Sequence, residues 1–210
     1  MKDLYIIGAG GCGRETLNLI LDIHQILGGL WNIKGFLDDT ENPLRGKKCD
    51  FGVVGSIQDY MPRKNDVLVM AIANPQDKCR VTSMLKSRGA VFESVIHPST
   101  YLGRHCTLGE GAVVQAGFGM TVNVSVGNFA TLLSSCLGHD VQVGDFCTIS
   151  SHCNISGYVT VGNRVFIGGN VCIASHVQIH DDAYLCMGSV VLKNISEGCK
   201  AIGNPACEIG

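Results

Sequence analysis

Charged residues are scarce in this chain of 210 residues: Asp, Glu, Lys and Arg make up 16% of it, and the formal net charge is -2. This balance provides no basic field for nucleic acid or for an anionic membrane surface, so we expect neither partner. No apolar run approaches the ~18 residues of a membrane-spanning helix. The apolar stretch near Met1 is short and soon reaches glycines, unlike a signal peptide. We therefore expect a cytoplasmic protein.

Cysteine pairs of the CxxC type are also lacking, although the chain has 11 cysteines. Without such pairs and without an export signal, we do not expect a disulfide framework. Free thiols commonly act as small buried side chains, and that is the role we predict here. Glycine, in contrast, is abundant, with 27 residues. Many of them recur at regular intervals in the second half, which indicates a repeat.

The first half of the chain alternates between strand and helix patterns. The predicted elements are buried strands at 4–7, 33–37 and 67–72 and amphipathic helices at 14–27 and 76–88. Strands that alternate with helices imply a parallel sheet with right-handed crossovers. We therefore predict a small α/β domain over residues 1–95.

A glycine-rich loop joins the first predicted strand to the first predicted helix. Its spacing, Gly8-x-Gly10-x-x-Gly13, fits the fingerprint of Rossmann-like domains, in which N–H groups at a helix N-terminus bind phosphate. Asp38 and Asp39, after the second strand, are candidates for binding a ribose or a base. A tight turn without a ligand is one alternative. A dinucleotide-dependent oxidoreductase is another, disfavoured because the domain is too short for two mononucleotide-binding halves.

From about Ile96 the helical pattern gives way to a period of six. Aliphatic residues recur at every sixth position, and a small residue follows each of them four positions later. The aliphatic positions are Val143, Ile149, Ile155, Val161, Ile167, Ile173, Ile179 and Leu185. The small positions are Cys147, Cys153, Val159, Val165, Val171, Val177, Ala183 and Ser189. A looser form of the same step runs through Ile96, Leu102, Leu108, Val114, Met120 and Val126.

A period of six fits neither an α-helix nor a single strand, but it fits a triangular solenoid. Three such units make one coil of about 18 residues, with a short strand on each side. Stacked coils bury the aliphatic column and pair their backbone groups. We therefore predict a left-handed parallel β-helix of hexapeptide repeats over residues 96–210. Its register assigns Cys106, Cys147 and Cys153 to the core.

One coil is a residue short. The step from Val126 to Val143 falls one position short of three full hexads, and the missing residue lies within the segment 132–140. The segment carries His139 beside Asp140, and histidine titrates near neutral pH and is the usual general base. We predict a catalytic site here. A surface histidine in a turn and a harmless deletion are the alternatives.

Seven motifs together resemble the bacterial hexapeptide-repeat acetyltransferases that modify nucleotide-linked amino sugars or sialic acids. The resemblance covers nearly the whole chain. It rests on residues 6–15 (IIGAGGCGRE), 35–39 (GFLDD), 72–75 (IANP), 96–98 (IHP), 138–140 (GHD), 143–146 (VGDF) and 203–206 (GNPA).

The resemblance implies a catalytic mechanism. In the family, the histidine matched by His139 is the general base, and the neighbouring acid, here Asp140, orients it. The implied reaction is direct transfer, in which His139 takes a proton from a sugar amine or hydroxyl as it attacks the thioester of acetyl-CoA. The backbone N–H of Gly157 matches the family position that stabilises the oxyanion.

The resemblance also implies the binding sites and a homotrimer with the CoA groove between neighbours. The expected contacts of acetyl-CoA are Thr148, Gly157, Gly168, Gly169, Gly188, Asn204 and Pro205. The expected contacts of a nucleotide-linked sugar are Gly8, Gly10, Gly11, Gly13, Asp38, Asp39 and Asn74. Two positions depart from the family pattern: Thr148 stands where many members carry a second histidine, and Leu133 stands near a position that is often asparagine. These departures leave one CoA contact and the acceptor geometry open.

Three functions follow from these observations. The first is N-acetylation of a UDP-linked amino sugar, which we expect, and the second is O-acetylation of sialic acid or a related sugar. The third is a non-catalytic scaffold that binds a nucleotide-sugar. A zinc enzyme that hydrates carbon dioxide is disfavoured, because His152 and His176 are four hexads apart, which is one hexad more than a coil, and so lie on different sides of the prism. We therefore expect no metal.

Overall fold

A computed structural model describes residues 1–209 of the chain, and Gly210, the last residue of the predicted second domain, lies outside them. The N-terminal region is a four-stranded parallel sheet with two helices. Its elements are β1 (Lys2–Ile7), α1 (Gly11–Leu27), β2 (Trp31–Leu37), β3 (Val53–Gly55), β4 (Asp66–Met70) and α2 (Pro75–Ser87). The strand order is β3-β2-β1-β4. The predicted strands and helices are confirmed, whereas the sequence pattern did not indicate the short β3.

Close packing of α1 on the sheet explains part of the glycine loop. The buried face of the helix carries Leu17, Ile20 and Ile23, which pack against the strands. Gly13 in its first turn lies so close to the carbonyl oxygen of Gly8 that a side chain there would overlap with it. The helix ends at Gly28, whose φ of 76° favours glycine.

From Val95 the chain winds into a triangular parallel β-helix built of very short strands. These strands are β5 (Val95–Ile96), β6 (Tyr101–Leu102), β7 (Thr107–Leu108), β8 (Val113–Val114), β9 (Gly119–Met120), β10 (Ser125–Val126), β11 (Thr131–Leu132), β12 (Cys136–Leu137), β13 (Gln142–Val143), β14 (Thr148–Ile149), β15 (Asn154–Ile155), β16 (Thr160–Val161), β17 (Phe166–Ile167), β18 (Cys172–Ile173), β19 (Gln178–Ile179), β20 (Tyr184–Leu185) and β21 (Val190–Val191). An antiparallel hairpin, β22 (Lys200–Gly203) and β23 (Ala206–Ile209), closes the end.

From β5 to β21 every third strand joins the same flat face, and β22 and β23 extend the first of these faces. Face one contains β5, β8, β11, β14, β17, β20, β22 and β23, face two contains β6, β9, β12, β15, β18 and β21, and face three contains β7, β10, β13, β16 and β19. We call the turn from face one to face two corner I, the turn from face two to face three corner II, and the turn from face three to face one corner III. Both helices of the N-terminal region contact face one.

The six-residue register is confirmed by burial. All eight aliphatic positions from Val143 to Leu185, and all eight small positions from Cys147 to Ser189, are at most 5% exposed. Cys106 packs against the same core but is only partly buried. The earlier, looser run includes Leu102, which is 46% exposed. Leu102 belongs to the first coil, and no coil lies above it to cover its side chain.

The missing residue lies at corner I, between Leu132 and Leu137. Leu132 pairs with Ile149, one position short of a full coil along the chain, whereas Leu137 pairs with Ile155, a full coil further on. The deletion is therefore completed before Leu137. His139 lies on the next turn, at corner II. We expected the missing residue and His139 to lie at the same corner. They lie at neighbouring corners, because strand β12 on face two separates them.

A buried lysine ties α2 to face one. The side chain of Lys78 is fully buried, and its Nζ donates hydrogen bonds to Thr131 Oγ1 at 2.9 Å, Thr148 Oγ1 at 2.9 Å and Cys147 O at 3.1 Å. Burial disfavours the ammonium and lowers the pKa of Lys78 to about 8. The N-terminal region is thus tied to the coils by a buried polar contact.

Lys78 is expected to make stability depend on pH. Above pH 8 the folded chain releases a proton that the unfolded chain, with an ordinary lysine pKa of 10.5, still holds, so stability rises with pH. The unfolding free energy of wild type, relative to that of Lys78→Met, should therefore increase by about 1 kcal/mol between about pH 7 and pH 9. Urea unfolding at several pH values measures it. Replacement of the exposed Lys193 by Met serves as the control and should show no such trend.

In the part of the chain that the structure describes, no helix is both long enough and apolar enough to cross a bilayer.

Candidate active site

Corner II carries an exposed histidine that is held by a carboxylate. His139 Nδ1 lies 2.9 Å from Asp140 Oδ2, and the His139 side chain is 52% exposed. A carboxylate only accepts hydrogen bonds, so this contact assigns the proton of a neutral imidazole to Nδ1 and leaves the Nε2 lone pair free. The hydrogen bond from His139, followed by one from Asn123, lowers the pKa of Asp140 below its usual value. The pair therefore has the arrangement of a general base and its orienting group.

Gly157 lies directly beside the imidazole on the next coil. A Cβ atom at this position would come within 2.5 Å of His139 Cε1 and 2.6 Å of Nε2. Only glycine therefore allows the ring to occupy its place. The N–H of Gly157 donates to no acceptor within the described chain, whereas that of Tyr158 donates to His139 O. The imidazole and a free N–H group thus lie side by side, an arrangement that suits a general base and an oxyanion donor.

Two side chains that the sequence analysis missed complete this corner. Asn123 Nδ2 donates to Asp140 Oδ1 at 3.1 Å. The ring of Tyr158 meets that of His139 edge-on, with 5.0 Å between centroids, and stacks on His176 at 4.8 Å. Spacing was the signal that could have found them, because Asn123, Asp140, Tyr158 and His176 follow one another at intervals of one coil, the first interval being the shortened one.

Removal of the Asn123 side chain tests its contact with Asp140. Asn123 has a φ of 55°, so glycine is the replacement that avoids backbone strain. Loss of one hydrogen bond to a carboxylate that orients the base should lower kcat about three- to tenfold. The KM for the acyl donor should stay unchanged. Asn42→Gly, at another exposed position of positive φ, is the matched control and should retain full activity.

The residues predicted to bind CoA lie at two different corners. Gly157 is at corner II, whereas Gly168, Gly169 and Gly188 are at corner I, across face two. Asn204 and Pro205 are exposed in the turn between β22 and β23. One chain by itself does not bring these residues into a single groove.

Thr148, which the resemblance assigns to CoA binding, lies on β14 of face one. Its side chain points from face one towards α2, and the residue is only 2% exposed. Its Oγ1 donates to Ala73 O at 2.7 Å and accepts from Lys78. Because the hydroxyl is buried and has both partners within the chain, its position is evidence against the predicted contact with CoA.

Two glycines of the glycine-rich loop are needed for its backbone geometry, and the other two face open space. Gly8 has a φ of 96° and Gly13 contacts it closely, so both serve the turn itself. Gly10 and Gly11 have open space where a side chain would lie. Gly10 precedes α1 without a side-chain cap, which leaves the N–H groups of the first turn available to an anion.

The polar residues predicted around the nucleotide have local hydrogen bonds. Asp38 Oδ2 accepts from Ala9 N at 2.6 Å, which ties the end of β2 to the glycine loop. Asp39 Oδ1 accepts from Ser56 Oγ at 2.7 Å. Asn74 Oδ1 caps α2 by accepting from Asp77 N at 3.0 Å. Asp38, Asp39 and Asn74 all lie beyond the carboxyl ends of the parallel strands, where ligands of open α/β sheets bind.

Residues 1–209 contain no cluster suited to a metal: nowhere do three or more His, Cys, Asp or Glu side chains gather in a way that could hold an ion. His152 lies at corner I and His176 at corner II, as their spacing predicted.

The fold and the site together define a class of protein: a triangular β-helix with an exposed corner histidine held by a carboxylate, joined to an α/β region with an open glycine loop. Comparison with known proteins gives the family. Residues 3–85 match the PglD N-terminal domain, and residues 158–193 match the hexapeptide repeat of succinyl-transferase. The chain is 30% identical over 202 residues to the GDP-perosamine N-acetyltransferase of Escherichia coli O157:H7, covering 94% of this chain and 81% of the relative. The chain belongs to the hexapeptide-repeat sugar acetyltransferases and is an acyltransferase.

Solved structures share the fold over the full chain. WeeI from Acinetobacter baumannii AYE is 25% identical, with a TM-score of 0.87 and 100% of both chains covered. The acetyltransferase domain of PglB from Neisseria gonorrhoeae FA1090, in complex with acetyl coenzyme A, is 24% identical, with a TM-score of 0.88 and 99% of both chains covered. PerB from Caulobacter crescentus, in complex with CoA and GDP-perosamine, is 24% identical, with a TM-score of 0.84 and coverage of 100% and 98%. The predicted parallel sheet followed by a left-handed β-helix is confirmed.

Proposed function

We propose that this enzyme transfers the acetyl group of acetyl-CoA to the amino group of a nucleotide-linked amino sugar. The observation that carries the proposal is the exposed His139, whose Nδ1 is held by Asp140 beside the free N–H of Gly157. The relative with 30% identity, named a GDP-perosamine N-acetyltransferase, supports an amine as the acceptor.

The proposed reaction needs no covalent intermediate on the enzyme. His139 Nε2 accepts a proton from the sugar amine as its nitrogen attacks the thioester carbon, and the Gly157 N–H stabilises the oxyanion. The C–N bond forms, the C–S bond breaks, and the imidazolium returns the proton to the leaving CoA thiolate. Asp140 holds the Nδ1–H throughout and stabilises the imidazolium.

A groove between copies of the chain is the second part of the proposal. In a homotrimer packed side by side, corner II of one chain lies next to corner I of its neighbour. Such packing would join Gly157 to Gly168, Gly169 and Gly188, which a single chain keeps apart. The turn with Asn204 and Pro205 would border the same groove. Thr148 is left out of this set because its hydroxyl is buried.

The N-terminal region is proposed to bind the nucleotide, with residues 1–95 as one domain and 96–210 as the catalytic domain. The open first turn of α1 at Gly10 and Gly11 supports this role, as does the position of Asn74 beyond β4. Two bases are candidates: the sequence resemblance points to uracil, and the name of the relative points to guanine.

Two measurements test the proposal: the release of free CoA thiol and the mass of the sugar product. The purified chain is mixed with acetyl-CoA and with UDP- or GDP-linked 4-amino sugars, and the product mass is measured. An increase by one acetyl group on the amine is the expected result. If only sialic acid hydroxyls were acetylated, the acceptor would be a hydroxyl and the proposed amine acceptor would be wrong. Binding of the nucleotide-sugar without any turnover would instead favour a non-catalytic scaffold. Light scattering in the same buffer should give a trimer, and a monomer would contradict the groove between copies.

A further inference from the structure

Tyr158 at corner II is a large aromatic residue in a backbone conformation that bulky side chains rarely adopt. Its φ is 61°, and the residue is 51% exposed. Phe129 and Phe146 have a similar φ at corner III, where they stack on each other and pack in a hydrophobic cluster with residues of α2. Packing against α2 explains the aromatic residues at corner III. It does not explain the half-exposed Tyr158, so the reason for an aromatic side chain there lies in what its ring contacts.

The ring of Tyr158 lies between two histidines. It meets the His139 ring edge-on, with 5.0 Å between centroids and 84° between planes, and it stacks on His176 at 4.8 Å and 8°. Aromatic rings prefer edge-to-face and offset-stacked arrangements of this kind. Asp140, Tyr158 and His176 occupy the same corner position in three successive coils, one residue after His139 in its coil. The register of the coils therefore brings the three rings into one row.

The hydrogen bond to Asp140 does not fix the imidazole by itself. A single contact at Nδ1 leaves the ring free to tilt about that atom, and the His139 side chain is 52% exposed to water. Gly157 limits this movement, because its backbone lies directly beside Cε1 and Nε2. The Tyr158 ring also limits it, and His176 supports the Tyr158 ring from the following coil. Asp140, Gly157 and Tyr158 therefore hold the imidazole together.

We propose that Tyr158 is a positioning residue for the general base. Its aromatic ring keeps the His139 imidazole in the orientation in which Asp140 binds Nδ1 and Nε2 lies beside the Gly157 N–H. The pKa of Asp140 is lowered mainly by the hydrogen bonds from His139 and Asn123 and least by the Tyr158 hydroxyl, so the hydroxyl has a minor role. This inference rests on the proposed function, in which His139 is the base.

Two replacements of Tyr158 separate the ring from the hydroxyl. Tyr158→Asn removes the ring and keeps the backbone, because asparagine tolerates a positive φ and Asn123 occupies this corner position two coils earlier. Its kcat should fall about tenfold because the base is less well placed, while the KM for acetyl-CoA stays within about twofold. Tyr158→Phe retains the ring, so its kcat should stay within about twofold of wild type.

His105→Asn is the matched control. His105 is exposed, has a φ of 60° and lies at the same corner position in the first coil. This variant should keep full activity, and all three variants should keep the melting temperature and the oligomeric state of wild type. A wild-type kcat in Tyr158→Asn, or an equal loss of kcat in Tyr158→Phe, would overturn the inference. So would a raised KM for acetyl-CoA alone, or unfolding or dissociation of Tyr158→Asn, since Tyr158 would then be a donor contact or a structural residue.

Nitrogen-15 NMR of the histidine rings gives a second readout that needs no turnover. With His139→Ala used to assign the signals, wild type at a pH where the imidazole is neutral should show a protonated Nδ1 and an unprotonated Nε2. Tyr158→Asn should move both shifts towards the average of the two tautomers, and Tyr158→Phe should not. Unchanged shifts in Tyr158→Asn would overturn the inference. Shifts that move as expected in a chain that transfers no acetyl group would sustain the positioning contact and instead contradict the proposed function.

Discussion

Replacement of His139 by alanine is expected to lower kcat/KM for acetyl transfer about 10²- to 10⁴-fold. The imidazole is the group beside the Gly157 N–H that can accept the amine proton, since the Asp140 carboxylate is engaged by His139 and Asn123. The side chain is half exposed and lies on a corner, outside the apolar core, so the fold should survive its removal. Binding of acetyl-CoA and of the nucleotide-sugar should therefore persist.

Measurement of His139→Ala by initial rates and by thermal shift separates catalysis from binding. His176→Ala is the matched control, because His176 lies on the same corner two coils further on and has no contact with Asp140. The control should keep most of its activity. If the His139 variant transferred acetyl at the wild-type rate, the assignment of the base would be wrong, even if the reaction itself were confirmed.

Replacement of Gly157 by alanine is expected to reduce kcat about 10²-fold without unfolding the coil. The new methyl group would lie within 2.5 Å of the imidazole, so the ring must leave its present place beside the N–H of residue 157. Displacement of a base by about an ångström is enough for a loss of this size. The hydrogen bond between His139 and Asp140 should also weaken.

Comparison with Gly52→Ala provides the control for Gly157→Ala. A Cβ at Gly52 has no atom within 4 Å, and the residue is remote from corner II. That variant should retain both activity and melting temperature. Full activity of Gly157→Ala would show that the position of the imidazole in this structure is not the one used in catalysis.

In the proposed trimer, two neighbouring chains would form each active site. One chain would supply His139 and the free N–H of Gly157 at corner II, and its neighbour the glycines at corner I. The trimer proposed above joins the two corners across the groove. A variant that stays monomeric should therefore retain the His139–Asp140 contact but lose acetyl transfer.

The architecture of the coils could be predicted from the amino-acid sequence alone. Each hexapeptide unit contains its own inward aliphatic residue and its own small residue, so the burial of Ile155 or Val165 follows from a local pattern. The alternation of strands and helices in the first half likewise follows from the local spacing of apolar residues. The pair of His139 and Asp140 could also be predicted from a local pattern, because the two residues are adjacent in the sequence.

Features that arise from the stacking of coils, or from contact between the two regions, could be seen only in the folded chain. The place of Asn123 beside Asp140 depends on which residues neighbouring coils bring into register, and the shortened coil shifts that register by one position. The burial of Lys78 and Thr148 depends on α2 lying on face one, which no pattern in either segment specifies. The same holds for the short coil. The sequence shows that a residue is missing, but only the strand pairing places the gap at corner I, one side of the coil away from His139, because pairing joins residues of different coils.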